Sequence, residues 1–166
     1  IIKKSQLEGA KRLDAEYYQP EYLELEQSLK KMSSEKLVTV AQVNGGKRLP
    51  VGDVFSTDGI PYLRVVDIYG TFIDSDNVKF ISEKLHQRLR QYQIKEKDIL
   101  VTIVGNTVGL VGYNQLQFDK FNFTENCARV RAKDTSPEYL LAILLSKIGQ
   151  LQVSRERVGT AQPKLS

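Results

Sequence analysis

The run from Asp98 to Asn114, DILVTIVGNTVGLVGYN, constrains the fold more than any other stretch of the chain. Two apolar, β-branched segments flank Gly105-Asn106-Thr107, and this order predicts a β-hairpin around a tight turn. Further strand candidates surround it. LVTVAQV, from Leu37 to Val43, reads as a strand that Asn44, Gly45 and Gly46 break. IPYLRVVDI, from Ile60 to Ile68, reads as another. CARVRA, from Cys127 to Ala132, sets Ala128 and Val130 against Arg129 and Arg131 in strand alternation. One helix interrupts these strands: Ser82 can cap it, and Leu85, Leu89 and Tyr92 form its apolar stripe. His86 falls on its polar side and reads as a solvent-facing residue.

Helical signals lie at both ends. Pro20 suits an early helical position, and Tyr22, Leu25, Leu29 and Met32 recur at spacings of three or four. Glu21, Glu24 and Glu26 sit early and Lys30 and Lys31 late, which complements the helix dipole, and Ser33 and Ser34 end the element. Near the other end, Ser136-Pro137 opens a pattern of Tyr139, Leu140, Ile143, Leu144, Ile148 and Leu151, with Gly149 as the point of division into two helices. The order predicts an α+β (mixed α/β) fold with one twisted, largely antiparallel sheet and flanking helices. We expect a single domain over 1–166: an arm and helix at 1–33, a sheet-rich core at 37–133, and a helical segment at 136–166.

Composition bounds the function. A chain of 166 residues, 41% of them apolar, can form one domain burying about 70% of its unfolded surface. No run of about 18 apolar residues predicts a membrane span, and the opening IIKKSQLEGAKRLD does not read as a signal peptide. The single cysteine, Cys127, cannot form an internal disulfide and fits a reducing cytoplasm. With His86 the single histidine, a His/Cys zinc site is not expected. A net charge of +4 leans mildly toward polyanions. No Asp/Glu-x-Lys triplet, Pro-Pro pair, dinucleotide fingerprint or phosphate loop is present. Nuclease and amino-methyltransferase chemistry therefore lack their local motifs, and no cofactor or metal is expected. Asp74-Ser75-Asp76 reads as a surface turn, since the remaining ligands of a calcium loop do not follow.

Five stretches in order carry a family resemblance: RLDAEYYQPEYLELEQSL (Arg12–Leu29), GGKRLP with DGIPYLRVVDI, KDILVTIVGNTVGLVGYN, FTENCARVRA, and SPEYLLAILLSKIGQLQVSRERVGTAQPKLS. Together they resemble the target recognition domain of type I restriction–modification specificity subunits, found also in methyltransferase-fused restriction enzymes. The resemblance implies a non-catalytic module that reads one half of a split duplex-DNA site. It implies as partners a DNA adenine methyltransferase subunit or fused domain and a restriction translocase/nuclease subunit, in a prokaryotic cytoplasm. In that family two such domains are joined by long spacer helices. GTAQPKLS then reads as the lead into a spacer, and the chain as half a subunit, a C-terminal recognition domain or an excised domain.

Candidate DNA-contacting residues follow from chemistry and position. Lys47 and Arg48 come after two glycines, where a loop can approach phosphates closely and Arg can bond guanine through two hydrogen bonds. The bland alternative is an exposed basic loop. Asn106 and Thr107 add hydrogen-bonding groups at the hairpin turn. The closing segment offers Gln152, Arg155, Arg157, Thr160, Gln162 and Lys164, a mix of cations and neutral donors suited to phosphates. Arg64 fits either a base reader or a partner of Asp67. Tyr62, Tyr69 and Tyr113 read as packing residues. A domain that keeps this fold without reading DNA would scatter the Lys47–Arg48 loop and the Arg155–Lys164 segment; a DNA reader would bring them together.

Overall fold

The computed structural model describes residues 12, 14–115, 120–159 and 161–165. The expected arm thus falls largely outside the described residues. After a 3-10 turn at Ala15–Tyr18 comes α1 (Pro20–Lys31), opened by Pro20 and closed by the Met32 N–H bonding back to the Leu29 and Ser28 carbonyls. No residue of α1 is fully buried, and Met32 is exposed rather than part of the apolar face. Leu37–Val40 forms a helical turn, α2, not the start of a strand. The strand β1 begins at Ala41 and runs on through Asn44 to Gly45. Leu37 and Val40 pack from the turn instead, against the cluster that contains Ala41, Val130 and Leu140.

The strands form two four-stranded sheets and two small hairpins rather than one sheet. The remaining strands are β2 (Ile60–Leu63), β3 (Ile68–Tyr69), β4 (Phe72–Ile73), β5 (Lys79–Ile81), β6 (Gln93–Ile94), β7 (Ile99–Thr102), β8 (Val111–Tyr113), β9 (Phe121–Phe123), β10 (Cys127–Ala132), β11 (Arg157–Val158) and β12 (Lys164–Leu165). The first sheet has the order β1-β10-β7-β8 and is wholly antiparallel. The expected hairpin is its β7–β8 pair, with Ile99 opposite Tyr113 and Val101 opposite Val111. The second sheet has the order β5-β2-β9-β6, with β2 and β9 parallel. The Ile60–Ile68 stretch is broken after Leu63 because Arg64 opens a 3-10 turn at Val65–Asp67.

Both faces of the first sheet are covered, which explains why ILVT in β7 is buried at every position. On one face Ile99, Val101, Val111 and Val130 pack under Leu140 of α4 (Pro137–Leu145). On the other, Leu100 and Cys127 meet Leu63, Phe121 and Phe123 of the second sheet and Ile68 and Ile73 of the β3–β4 hairpin. Ser136 caps α4 as expected, its Oγ accepting from the Tyr139 N–H at 3.2 Å. The division from α5 (Lys147–Glu156) falls at Ser146, whose Oγ accepts from the Gly149 N–H. Gly149 serves the corner differently: a Cβ there would lie 2.2 Å from the Ile143 carbonyl oxygen.

The helix over Ser82–Tyr92 is shorter than its stripe implies. Ser82 caps it, but α3 spans Glu83–Arg88. His86 is buried, not solvent-facing. Asn122 donates its Nδ2 to the Leu89 and Tyr92 carbonyls, so its Oδ1 faces His86 Nδ1 at 2.6 Å. This assigns the proton to Nδ1 and leaves Nε2 to accept from Gln93 Nε2 at 3.1 Å. The arginines of β10 are also engaged inside the fold, Arg129 buried and Arg131 half-buried. Arg129 donates to the Gln93 carbonyl and to Asn44 Oδ1. Arg131 grips the buried Asp98 carboxylate through Nε at 2.7 Å and Nη2 at 2.6 Å.

Candidate nucleic-acid interface

The registers place four strand termini at one end of the first sheet. Gly45 at the end of β1 lies opposite Ala128, and Cys127 at the start of β10 lies opposite Thr102 at the end of β7. The start of β8 at Val111 follows next to Val101. The loops after β1, between β7 and β8, and before β10 therefore emerge together.

Backbone hydrogen bonds weld these loops into a rim. The Gly46 N–H donates to the Cys127 carbonyl and the Lys47 N–H to the Phe123 carbonyl, each at 3.0 Å. Gly46 is required here, since a Cβ would lie 2.2 Å from the Thr124 carbonyl oxygen. The Ile103 and Val104 N–H groups both donate to the Asn126 carbonyl. The closing segment docks on the far side: Gly105 N–H donates to the Pro163 carbonyl and Leu165 N–H to the Ile103 carbonyl, each at 2.9 Å, with Val104 bridging to Lys164. The Thr124 N–H donates to the Leu63 carbonyl, which brings the end of β2 to the same edge.

The candidate residues divide on this frame. Lys47, Arg48, Asn106, Thr107, Gln162 and Lys164 are exposed on or beside the rim. Arg157 is also exposed, on the β11–β12 hairpin that carries Lys164. Lys47, Lys164 and Arg157 have no side-chain partner among the described residues. Thr160 lies outside the described residues. Arg64 takes its structural alternative: it forks onto Asp67, Nη2 to Oδ1 at 2.7 Å, and also donates to the Asn77 carbonyl. Arg155 is drawn into the fold, stacked 4.2 Å over the Tyr17 ring and bonded to the Tyr17 carbonyl and Glu26. Gln152 lies with it along the cleft between α1 and α5, which Tyr22, Leu25 and Leu29 also line. Tyr62 and Tyr113 pack as expected, whereas Tyr69 is exposed on its hairpin.

Sequence reasoning overlooked the Thr124–Asn126 turn, which joins the loops. Glu125 accepts from Arg48 Nε at 2.5 Å and from Thr124 Oγ1 at 2.8 Å. Burial pushes its carboxyl up, but those two hydrogen bonds, one from its own backbone N–H and the Arg48 charge together hold it below its ordinary value. The available signal was the run of three polar residues, Thr124, Glu125 and Asn126, between β9 and β10. No cluster of three metal-ligating side chains occurs among the described residues.

A positive rim built from loops of one sheet edge suits a polyanion, and comparison with known proteins says which kind of chain carries it. Residues 29–166 match the type I restriction modification DNA specificity domain. The chain belongs to this family. Over 86 residues it is 33% identical to the type I restriction enzyme EcoBI specificity subunit of Escherichia coli, covering 52% of this chain and 17% of that subunit. Its fold is similar to that of the HsdS subunit from Thermoanaerobacter tengcongensis, with a TM-score of 0.56 and 16% identity over 97% of this chain and 43% of that one. It is also similar to the S subunit of a type I restriction-modification system from M. genitalium, with a TM-score of 0.52 and 11% identity over 80% and 30% of the two chains. The specificity domain thus spans less than half the length of each of these relatives. Among its described residues no helix is long and apolar enough to cross a membrane.

Proposed function

We propose that this specificity domain reads a short sequence in duplex DNA, one half of a split site, and catalyses nothing itself. The observation that carries the reading is the convergence of the Gly46–Arg48 loop, the Gly105–Thr107 loop and the Pro163–Leu165 segment on one rim. A domain that retained the fold without reading DNA would have no need to gather them. Lys47, Lys164 and Arg157 would neutralise phosphates and set the docking register, while Arg48, Asn106 and Gln162 would face base edges. Methyl transfer would belong to a DNA adenine methyltransferase partner, subunit or fused domain, and cleavage to a translocating nuclease subunit, in a bacterial cytoplasm. The identity of the EcoBI specificity subunit as a relative supports this assembly.

Selection from a random duplex library by the full chain, alone and with its methyltransferase partner, tests the reading. A single enriched half-site is the expected result. Enrichment of no sequence by either preparation would refute it.

A further inference from the structure

We infer that Arg48 is a guanine-reading residue and that Glu125 is the positioning residue that aims it. The inference rests on the proposed DNA reading and deepens it.

Arg12, Arg64, Arg131 and Arg155 all donate through Nε, and each also commits Nη2 to a protein acceptor. Their guanidinium groups are consumed by the fold. Arg88 and Arg129 spend terminal nitrogens on Asp53, Gln93 and Asn44. Arg48 differs. Its Nε donates to Glu125 at 2.5 Å, yet neither Nη has a partner among the described residues. Its side chain is 78% exposed while Glu125 is 30% exposed, so the anchor is partly sheltered and the terminal fork projects. Planarity does the rest: anchoring Nε restrains the guanidinium, and its two Nη groups then present parallel N–H donors end-on. That is the geometry that guanine O6 and N7 accept in the major groove.

The anchor is itself held. Thr124 Oγ1 donates to the second Glu125 oxygen, Thr124 N–H is bonded to Leu63, and the Asn126 carbonyl receives the Ile103 and Val104 N–H groups. The loop carrying Arg48 is pinned two residues earlier, at Gly46, against the same turn. Ordering a long side chain before binding removes part of the entropy cost of recognition. Glu125 also has a second consequence. A carboxylate on a cationic rim repels phosphates, so it weakens docking on arbitrary DNA. A residue that disfavours the non-specific mode while pre-aligning a reader raises the ratio of the two affinities.

The experiment uses the full chain and the half-site enriched from the library, with each guanine replaced in turn by 7-deazaguanine, which lacks only the N7 acceptor. Wild type should lose roughly 5- to 150-fold in affinity at one guanine. R48A should be insensitive there, and R48K should retain non-specific binding without the guanine preference. E125Q and E125A should bind scrambled duplex as tightly as wild type or tighter, while the penalty at that guanine shrinks at least threefold. A merely structural role for Glu125 would lower the melting temperature and reduce binding to all duplexes alike, which would overturn the positioning claim. A flat 7-deazaguanine scan, or a penalty that survives in R48A, would overturn the guanine assignment and leave DNA reading standing. Failure of wild type to enrich any half-site would overturn both.

Discussion

Arg155→Ala separates a structural cation from a DNA-binding one. Position in sequence groups Arg155 with the cations of the closing segment, but its guanidinium is occupied within the fold. It stacks 4.2 Å from the centre of the Tyr17 ring, donates Nε to the Tyr17 carbonyl at 3.2 Å and donates Nη2 to Glu26 at 3.0 Å. Its side chain is 15% exposed. A cation–π contact of this kind contributes about 0.5–2 kcal/mol. The hydrogen bonds to the carbonyl and to the carboxylate add about 1–2 kcal/mol together, at the low end because Glu26 is partly solvated. Glu26 is not left unpaired by the change, since Lys30 holds it at 2.5 Å. The expected loss is therefore about 1.5–4 kcal/mol, which for a domain of this size lowers the melting temperature by roughly 3–16 °C. Thermal unfolding followed by circular dichroism measures it. Affinity for duplex DNA below the transition, and its salt slope, should stay within about twofold of wild type. Unchanged melting together with a tenfold loss of DNA affinity would refute the reasoning and return Arg155 to the interface.

Lys47→Ala and Lys164→Ala should each weaken binding to cognate and scrambled duplexes alike and lower the salt slope by about one unit, as read by titration at several salt concentrations. The Cys127 thiol is pushed up to about 12, chiefly by burial, with Asp67 and Glu125 raising it further and Thr102 opposing. Native protein at pH 8 should therefore resist an aromatic disulfide reagent that reacts at once after denaturation. Hydrogen bonds from Ser136 and then Tyr113 lower the Glu138 carboxyl to about 2 from an ordinary 4.5. Between those values the unfolded chain binds the extra proton, so this contribution to stability is complete above about pH 4.5 and is lost as the pH falls toward 2. Urea titrations of E138Q should show a shallower loss of stability across that window than wild type.

What the sequence makes legible is local. The β7–β8 hairpin announces itself through β-branched runs around a glycine turn, and Ser82, Ser136 and Pro20 mark helix starts that the structure has at those residues. The errors arise where a distant partner decides. Leu37–Val40 has strand composition but turns as a helix because that places Leu37 and Val40 over the sheet next to Leu140. His86 looks solvated by helical phase, yet Asn122, 36 residues away, supplies the buried acceptor. Arg155 looks like a surface cation until Tyr17 and Glu26 arrive from 138 and 129 residues away. The split into two sheets depends on the parallel β2–β9 pairing, for which neither strand carries a local signal. For the candidate site, the Lys47–Arg48 loop and the hairpin turn were legible as basic or polar residues beside glycines. The Thr124–Asn126 turn was not, because its importance lies in backbone carbonyls and one carboxylate that composition does not distinguish.

That distinction bears on how such a rim would read DNA. The loops are joined through main-chain groups: Gly46, Lys47, Ile103, Val104, Gly105 and Leu165 all donate their N–H to carbonyls of neighbouring loops. Main-chain bonds of this kind depend on backbone path and, apart from Gly46 with its close contacts and Gly105 with its φ of 105°, hardly at all on side-chain identity. The side chains of Lys47, Asn106, Thr107 and Lys164 are thereby released from holding the frame, and Arg48 spends only its Nε there, on Glu125. Elsewhere in the molecule the division is reversed, and Arg64, Arg129, Arg131 and Arg155 are spent on internal contacts. A change of rim side chain should therefore alter what is bound far more than whether the domain folds, whereas a change at Gly46 should do the opposite.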